Sequence, residues 1–451
     1  MNYLIRNAVG VVSPASLNAT DIRIRAGKIA DIGCQLDIRP DETVIDGRGC
    51  VVWPGLVSTH HHLAQSLLKG VPAGINEPLG EWLKAVPWRF WPHFTPTMMY
   101  HAARLGLYEM LLSGVTTCAD HHYLYHRDTS PELEEAVWQA AEEIGIRFAL
   151  CRGFAIEAGS HKGMQGLHVE PESIELVIDR LEATRKRHHD PASDAMARLV
   201  VAPTSLVHSS GPEALRILSD YARGNGLRRH SHLLEVGFDE QQAQAKYGMP
   251  AIDYAASNGW LGNDIWFAHL VHSDRHTINQ LAASGTGIGH CPTSNCRLGS
   301  GIAPLRAMAD AGVPISLGVD GSASSESASM LQELNMCWLI HRAIGGPQAT
   351  RAEEVLGWGS AGGASILGLE NVGTLEVGKA ADMVLFDIDT PRHSAVHTPL
   401  MAPLMCGEPT TVKHSFVNGR QVVADGNVVG VDDERLIHEV KESIALLLKH
   451  Q

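Results

Sequence analysis

The spacing of apolar positions divides the chain into two textures. The first fifty residues carry short alternating or apolar runs, YLIRNAVGVV, DIRIRAGKIADIG and ETVIDGRGCVVWPG, broken by Gly, Asn and Asp, which predict β-strands. Within them RAGKI and DGRGC read as hairpin turns. The C-terminal stretches GTLEVGKAADMVLFDID and TVKHSFVNGRQVVADGNVVG repeat this texture, with Asn-Gly and Asp-Gly turns. A final segment, DDERLIHEVKESIALLLKH, has helical spacing. Chain ends commonly lie close together, so the two β-rich ends are expected to pair into one small unit.

Between these ends, short apolar runs alternate with amphipathic helical patterns. The runs are VVWPGLVSTHHH (51–62), GVTTCADHH (114–122), RFALCRG (147–153), ARLVVAPTS (197–205), LRRHSHLLE (227–235), DIWFAHLVH (264–272), TGIGHCPTSN (286–295) and VPISLGVDGS (313–322). Helices between strands make the strands parallel. Eight such units over about 270 residues predict an α/β chain built on a (β/α)8 TIM-like barrel, whose usual size is about 250 residues. An open doubly wound sheet is the alternative, but no G-x-G-x-x-G follows the first strand. The expected division is a composite β-sandwich from 1–53 and 369–451, and a barrel from 54–368.

Composition narrows the partners. The 451 residues carry 36 Lys+Arg against 50 Asp+Glu, a net charge of −14 with no basic cluster, which argues against nucleic acid. Apolar residues at 44% and charged residues at 19% are a globular balance. No apolar run reaches membrane-spanning length and no secretory signal pattern opens the chain, so no membrane association and a cytoplasmic location are expected. Eight scattered cysteines suit a reduced compartment. The unusual feature is 25 histidines, many at the ends of apolar runs.

In a barrel, the C-terminal strand ends form the active face. Here they bring His60, His61 and His62, then Asp120, His121 and His122, then Arg152. His208, His230, His232 and Glu235 follow, then His269, His290, Asn295 and Asp320. One strand-end histidine is ordinarily a buried structural residue. Four strands ending this way point to a metal. Alternation along a strand turns His60 and His62 to one side and His61 to the other. Glu235, three residues after His232, is placed to face a metal-bound water. Asp320 in GVDGS offers an anionic ligand, or else a turn residue before Gly. Neither H-E-x-x-H nor P-C-x-x-C after H-x-E occurs. Cys291 and Cys296 read as a buried and a loop cysteine, not as thiolate ligands.

These motifs, with PGLVSTHHH, AHLVH, HCPTSN, GVDGSASSE and the closing GKAADMVLFD, resemble the amidohydrolase superfamily over essentially the whole chain. Within it they resemble the mononuclear deaminase branch, which acts on guanine, cytosine, 8-oxoguanine and isoxanthopterin. No lysine ends the fourth strand, where binuclear members carry a carbamylated one, so the resemblance implies one metal. It implies His60, His62, His232 and Asp320 as ligands of one divalent ion, zinc first and iron second. It implies Glu235 as proton shuttle, His269 as stabiliser of the developing oxyanion and Asp320 as the carrier of a proton to departing ammonia. Gln65 matches the glutamine that guanine deaminases set against the amino-imino edge of the base.

HHHLAQSLLKGVPAG and EWLKAVPWRF resemble the isoxanthopterin deaminases most. The expected reaction is therefore deamination of isoxanthopterin to the 2-oxo product. Deamination of 8-oxoguanine or another purine is the alternative, and triazine or cyclic-amide hydrolysis a third. A flat bicycle needs aromatic walls and a few placed donors. Trp88, Arg152, Tyr123, His208 and Asn295 join Gln65 as candidate contacts, although Trp82 and Trp88 also suit packing of their own segment and Arg152 an internal ion pair. Homodimers are common in the family, so a homodimer or higher homo-oligomer is expected.

Overall fold

A computed structural model describes residues 1–14, 18–158, 167 and 169–450. Eight parallel strands close a barrel: β1 (Leu56–Ser58), β2 (Val115–His122), β3 (Arg147–Phe154), β4 (Ala197–Pro203), β5 (Arg228–Leu233), β6 (Ile265–His269), β7 (Gly287–His290) and β8 (Ile315–Leu317). Seven fall within their apolar runs, and β3 extends one residue past the end of its own. Alternation sorts their side chains. Phe148, Leu150, Leu199, Val201, Phe267 and Ile288 pack outward under the helices. Ala149, Cys151, Val200, Ala202 and Trp266 belong to a separate inner cluster, where small residues suit a narrow interior.

The first run, 51–62, divides between two sheets. Cys50–Pro54 is a strand of the flanking unit, and β1 begins two residues later. Gly55 makes the transfer. A Cβ there would lie 2.1 Å from Thr116 Oγ1, so no larger residue fits without displacing β2.

Both chain ends build the flanking unit. One sheet orders its strands Lys28–Gly33, Asp21–Arg25, Tyr3–Arg6, Thr43–Asp46. The other runs Asn427–Val428, Arg420–Ala424, Val412–Val417, Met383–Asp387, Cys50–Pro54, Gly10–Val11. Tyr3, Ile5, Ile22 and Ile24 of the first pack with Val52, Met383, Leu385 and Phe416 of the second. The RAGKI, Asn-Gly and Asp-Gly turns join paired strands, with positive φ at Ala26-Gly27, Asn418-Gly419 and Asp425-Gly426.

DGRGC does not form the expected hairpin. Thr43–Asp46 pairs in parallel with Tyr3–Arg6, while Cys50–Pro54 pairs with Met383–Asp387, so this turn carries the chain from one sheet to the other. The final helix, Asp433–Leu447, is capped by Asp432 and packs on the barrel helix Pro96–Leu112 through Ser443 Oγ to His101 Nδ1 (2.9 Å) and Tyr108 Oη to Asp433 (2.9 Å). Among the described residues no helix is long and apolar enough to cross a membrane.

Candidate metal centre and active site

His60 and His62 follow the end of β1, His232 lies in β5, and Asp320 follows β8. One donor atom each of His60, His62 and His232 lies within 4.8 Å of the others, and the same holds for His60, His269 and Asp320. Asp320 Oδ1 is 3.4 Å from His60 Nε2 and 3.3 Å from His62 Nε2, and the Nε2 atoms of His62 and His232 are 3.3 Å apart.

The outer ring nitrogens decide what these inner atoms are. His62 Nδ1–H donates to the His121 carbonyl and His232 Nδ1–H to that of Thr204, both at 2.7 Å. His230 Nδ1–H donates to the Trp266 carbonyl at 3.0 Å, which leaves its Nε2 as an acceptor for His60 Nδ1–H at 2.8 Å. A carbonyl can only accept, so each tautomer follows from its partner. Three Nε2 lone pairs therefore converge beside a carboxylate oxygen, and His60 Nε2 is buried with no hydrogen-bond partner. Such a group repels itself unless a cation lies between. The donor set fits one divalent ion.

Electrostatics agree with that assignment. Burial pushes His60 down to about 3 and His232 well below its usual range, so both rings are neutral near pH 7, the form that can bind a metal. Burial opposes charge on Asp320, yet the close approach of His60, with His269 beside it, holds its carboxyl well below the ordinary value. Ser294 Oγ–H donates to Asp320 Oδ2 at 2.5 Å and the Gly321 amide to Oδ1 at 2.8 Å. The strands end in strained backbone: φ is +53° at Leu234, +74° at His269 and +57° at Asp320. Left-handed conformation costs a non-glycine residue about 1–2 kcal/mol, and it clusters at sites that need an abrupt change of direction.

Glu235 and His269 face each other beside this group, Oε2 to Nε2 at 3.7 Å. Asn295 Oδ1 accepts from His269 Nδ1–H at 2.9 Å and so orients the ring. The Glu235 amide donates to Asp239 Oδ2 at 2.9 Å, and His208 Nε2 lies 2.9 Å from Asp239 Oδ1.

Above these groups opens a cleft with about 520 Å³ of empty space. Its polar floor is His62, His232, Glu235, His269, Asp320 and Thr204, and its walls are Leu79, Trp82, Leu83, Trp88, Tyr123 and Leu298. Gln65 enters from the side. Its Nε2 donates to Tyr123 Oη at 3.1 Å, and its buried Oε1 has no partner.

Among the expected contacts, Gln65, Trp88 and Tyr123 line the cleft, and Arg152, His208 and Asn295 do not. Glu172 accepts two hydrogen bonds from the buried Arg152 guanidinium, at 2.9 and 2.7 Å, and Tyr125 covers its face. His208 and Asn295 instead hold the residues that hold the site. The strand-end reading brings His230 to the active face but gives it no role, although its spacing from His232 is the same i, i+2 signal that singles out His60 and His62. Leu79 and Leu83 carry a helical i, i+4 signal that was also open to reading.

Comparison with known proteins places these features. A family model described as Amidohydrolase family matches residues 51–423. An isoxanthopterin deaminase from an unknown prokaryotic organism is 40% identical over 99% of this chain and 97% of its own length. The 8-oxoguanine deaminase of Pseudomonas aeruginosa is 35% identical over 98% of each chain. The crystal structure of atrazine chlorohydrolase from Arthrobacter aurescens TC1 complexed with zinc superposes with a TM-score of 0.92 at 29% identity, covering 98% of this chain and 100% of the other.

Proposed function

The chain belongs to the amidohydrolase family and is a hydrolytic deaminase, and on that premise we propose that it deaminates an oxidised bicyclic heterocycle, isoxanthopterin first, to the 2-oxo product and ammonia. The observation that carries the reaction is the meeting of Glu235, His269 and Asp320 on the converging imidazole lone pairs, at the floor of an aromatic cleft. The preference for a pterin is supported by the full-length relative at 40% identity, against 35% for the purine enzyme.

His60, His62, His232 and Asp320 would hold one divalent ion, zinc first and iron second, which lowers the pKa of a water toward about 7. Glu235 accepts a proton from the attacking water and delivers it to the ring nitrogen beside the attacked carbon. His269, its Nδ1–H held by Asn295, donates from a protonated Nε2 to the oxygen on which charge develops. Asp320 passes the second proton to the amino group. The C–N bond then breaks, the water oxygen stays on carbon, and ammonia leaves. Trp82 and Trp88 give the ring flat apolar walls, and the free Oε1 of Gln65 accepts an N–H from its amino-imino edge.

The test is kcat/KM for isoxanthopterin, 8-oxoguanine, guanine and pterin with the zinc-loaded protein. Isoxanthopterin is expected to lead. Turnover of purines alone would keep the chemistry and overturn the substrate.

A further inference from the structure

A second group of soft donors lies outside the catalytic cleft. Alternation along β7 places it: a Cβ at Gly289 would face Thr59 Oγ1 at 3.1 Å and His60 Cβ at 3.8 Å inside the barrel, so His290 turns outward to the helix Met330–Gly345. His341 on that helix brings its Nε2 to 3.0 Å from His290 Nε2. Cys337 stands one helical turn earlier on the same face. One donor atom from each of the three lies within 4.8 Å of the others, and all three side chains are buried.

We propose that His290, Cys337 and His341 form a second metal site, for one thiophilic ion with zinc first. Thiolate with imidazole is the donor set that selects zinc over hard cations. Cys337 and His341 at i, i+4 present both donors from one rigid helix, and His290 supplies the third from a strand end. The two facing Nε2 atoms share a single proton when no ion is bound, and His290 Nδ1 is buried without a partner. Binding breaks the Cys337 S–H bond and forms a sulfur–metal bond with release of one proton, and the proton held between the two Nε2 atoms moves to the Nδ1 of its own ring so that both Nε2 lone pairs reach the ion. The ion joins the helix to the segment that begins at His290, whose Ser294 and Asn295 hold Asp320 and His269. It braces the catalytic residues from behind and takes no part in the reaction.

Because the donors are buried, loading belongs to biosynthesis. The protein is produced in minimal medium with cobalt in place of zinc, as wild type and as the catalytic-site variant His62→Ala/His232→Ala. Two ions per chain are expected in the first and one in the second, both with the near-ultraviolet thiolate-to-cobalt charge-transfer band that a nitrogen and oxygen site lacks. Cys337→Ser and His341→Ala should each lose one ion, and Cys337→Ser should lose the band. One ion per chain in wild type without the band would overturn the proposal, as would a band that survives Cys337→Ser. The wild-type reading decides even where a variant fails to fold.

Discussion

His60, His62 and His232 each present a lone pair inward because the other ring nitrogen is committed to a fixed acceptor. His230 is the least direct of these supports and the easiest to test. Removing it by His230→Ala frees His60 Nδ1 to rotate or change tautomer, and should weaken zinc affinity by about 10–100-fold in a chelator competition; unchanged affinity would show that His60 needs no such partner. Glu235→Gln keeps the shape of the cleft and removes only the proton acceptor. It should retain zinc and lose at least about 100-fold in kcat, and turnover within tenfold of wild type would deny Glu235 the shuttle role. At this scale the sequence was informative where geometry is local. H-x-H on a strand end places two rings on one side wherever the strand goes. The partners of Arg152, His208 and Asn295 were not readable, because Glu172, Asp239 and His269 reach them only through the fold.

The elements that carry the site are held by close backbone approach and by one helical stripe. Leu79, Trp82 and Leu83 face the cleft from a single short helix, Leu79–Ala85, and Trp82 Nε1–H donates to the Ala323 carbonyl at 3.3 Å, which joins this helix to the segment after Asp320. Gly318, between β8 and Asp320, allows that segment to lie against His60: a Cβ there would be 2.7 Å from His60 Cβ and 2.9 Å from its carbonyl oxygen. Gly318→Ala should therefore cost about 1–3 kcal/mol and lower zinc content, read by thermal unfolding and metal analysis; an unchanged pair of values would show that the strand end yields without consequence. Helix Met330–Gly345 carries a pH signature. Burial raises the Glu333 carboxyl from 4.5 to about 8, against the opposing hydrogen bonds from Thr293. The unfolded chain ionises first, so this group's contribution is full below pH 4.5 and is lost as pH rises to about 8. Glu333→Gln should flatten the decline of Tm across that window, and an equally steep decline would assign it to other groups.

Over the whole molecule, the alternation of eight apolar runs with helical patterns was enough to recover the barrel, because each strand–helix unit buries its own stripe on the next. The flanking unit was harder to read. Its strands are short, and pairing depends on partners more than three hundred residues away, as between Cys50–Pro54 and Met383–Asp387. DGRGC looks like any hairpin turn, and only the second sheet shows that it is a crossover. The 51–62 run looks like one strand because a single apolar stretch serves two sheets on either side of Gly55. The barrel alone lines the cleft, and its chemistry can be followed by the fate of two atoms. Isoxanthopterin is incubated with the zinc-loaded protein in water enriched in heavy oxygen. One ammonia per substrate and one solvent oxygen in the product, both abolished by Glu235→Gln, are the predicted result. Ring opening without ammonia, or no ammonia from any amino-substituted heterocycle with zinc bound, would contradict hydrolytic deamination at this centre.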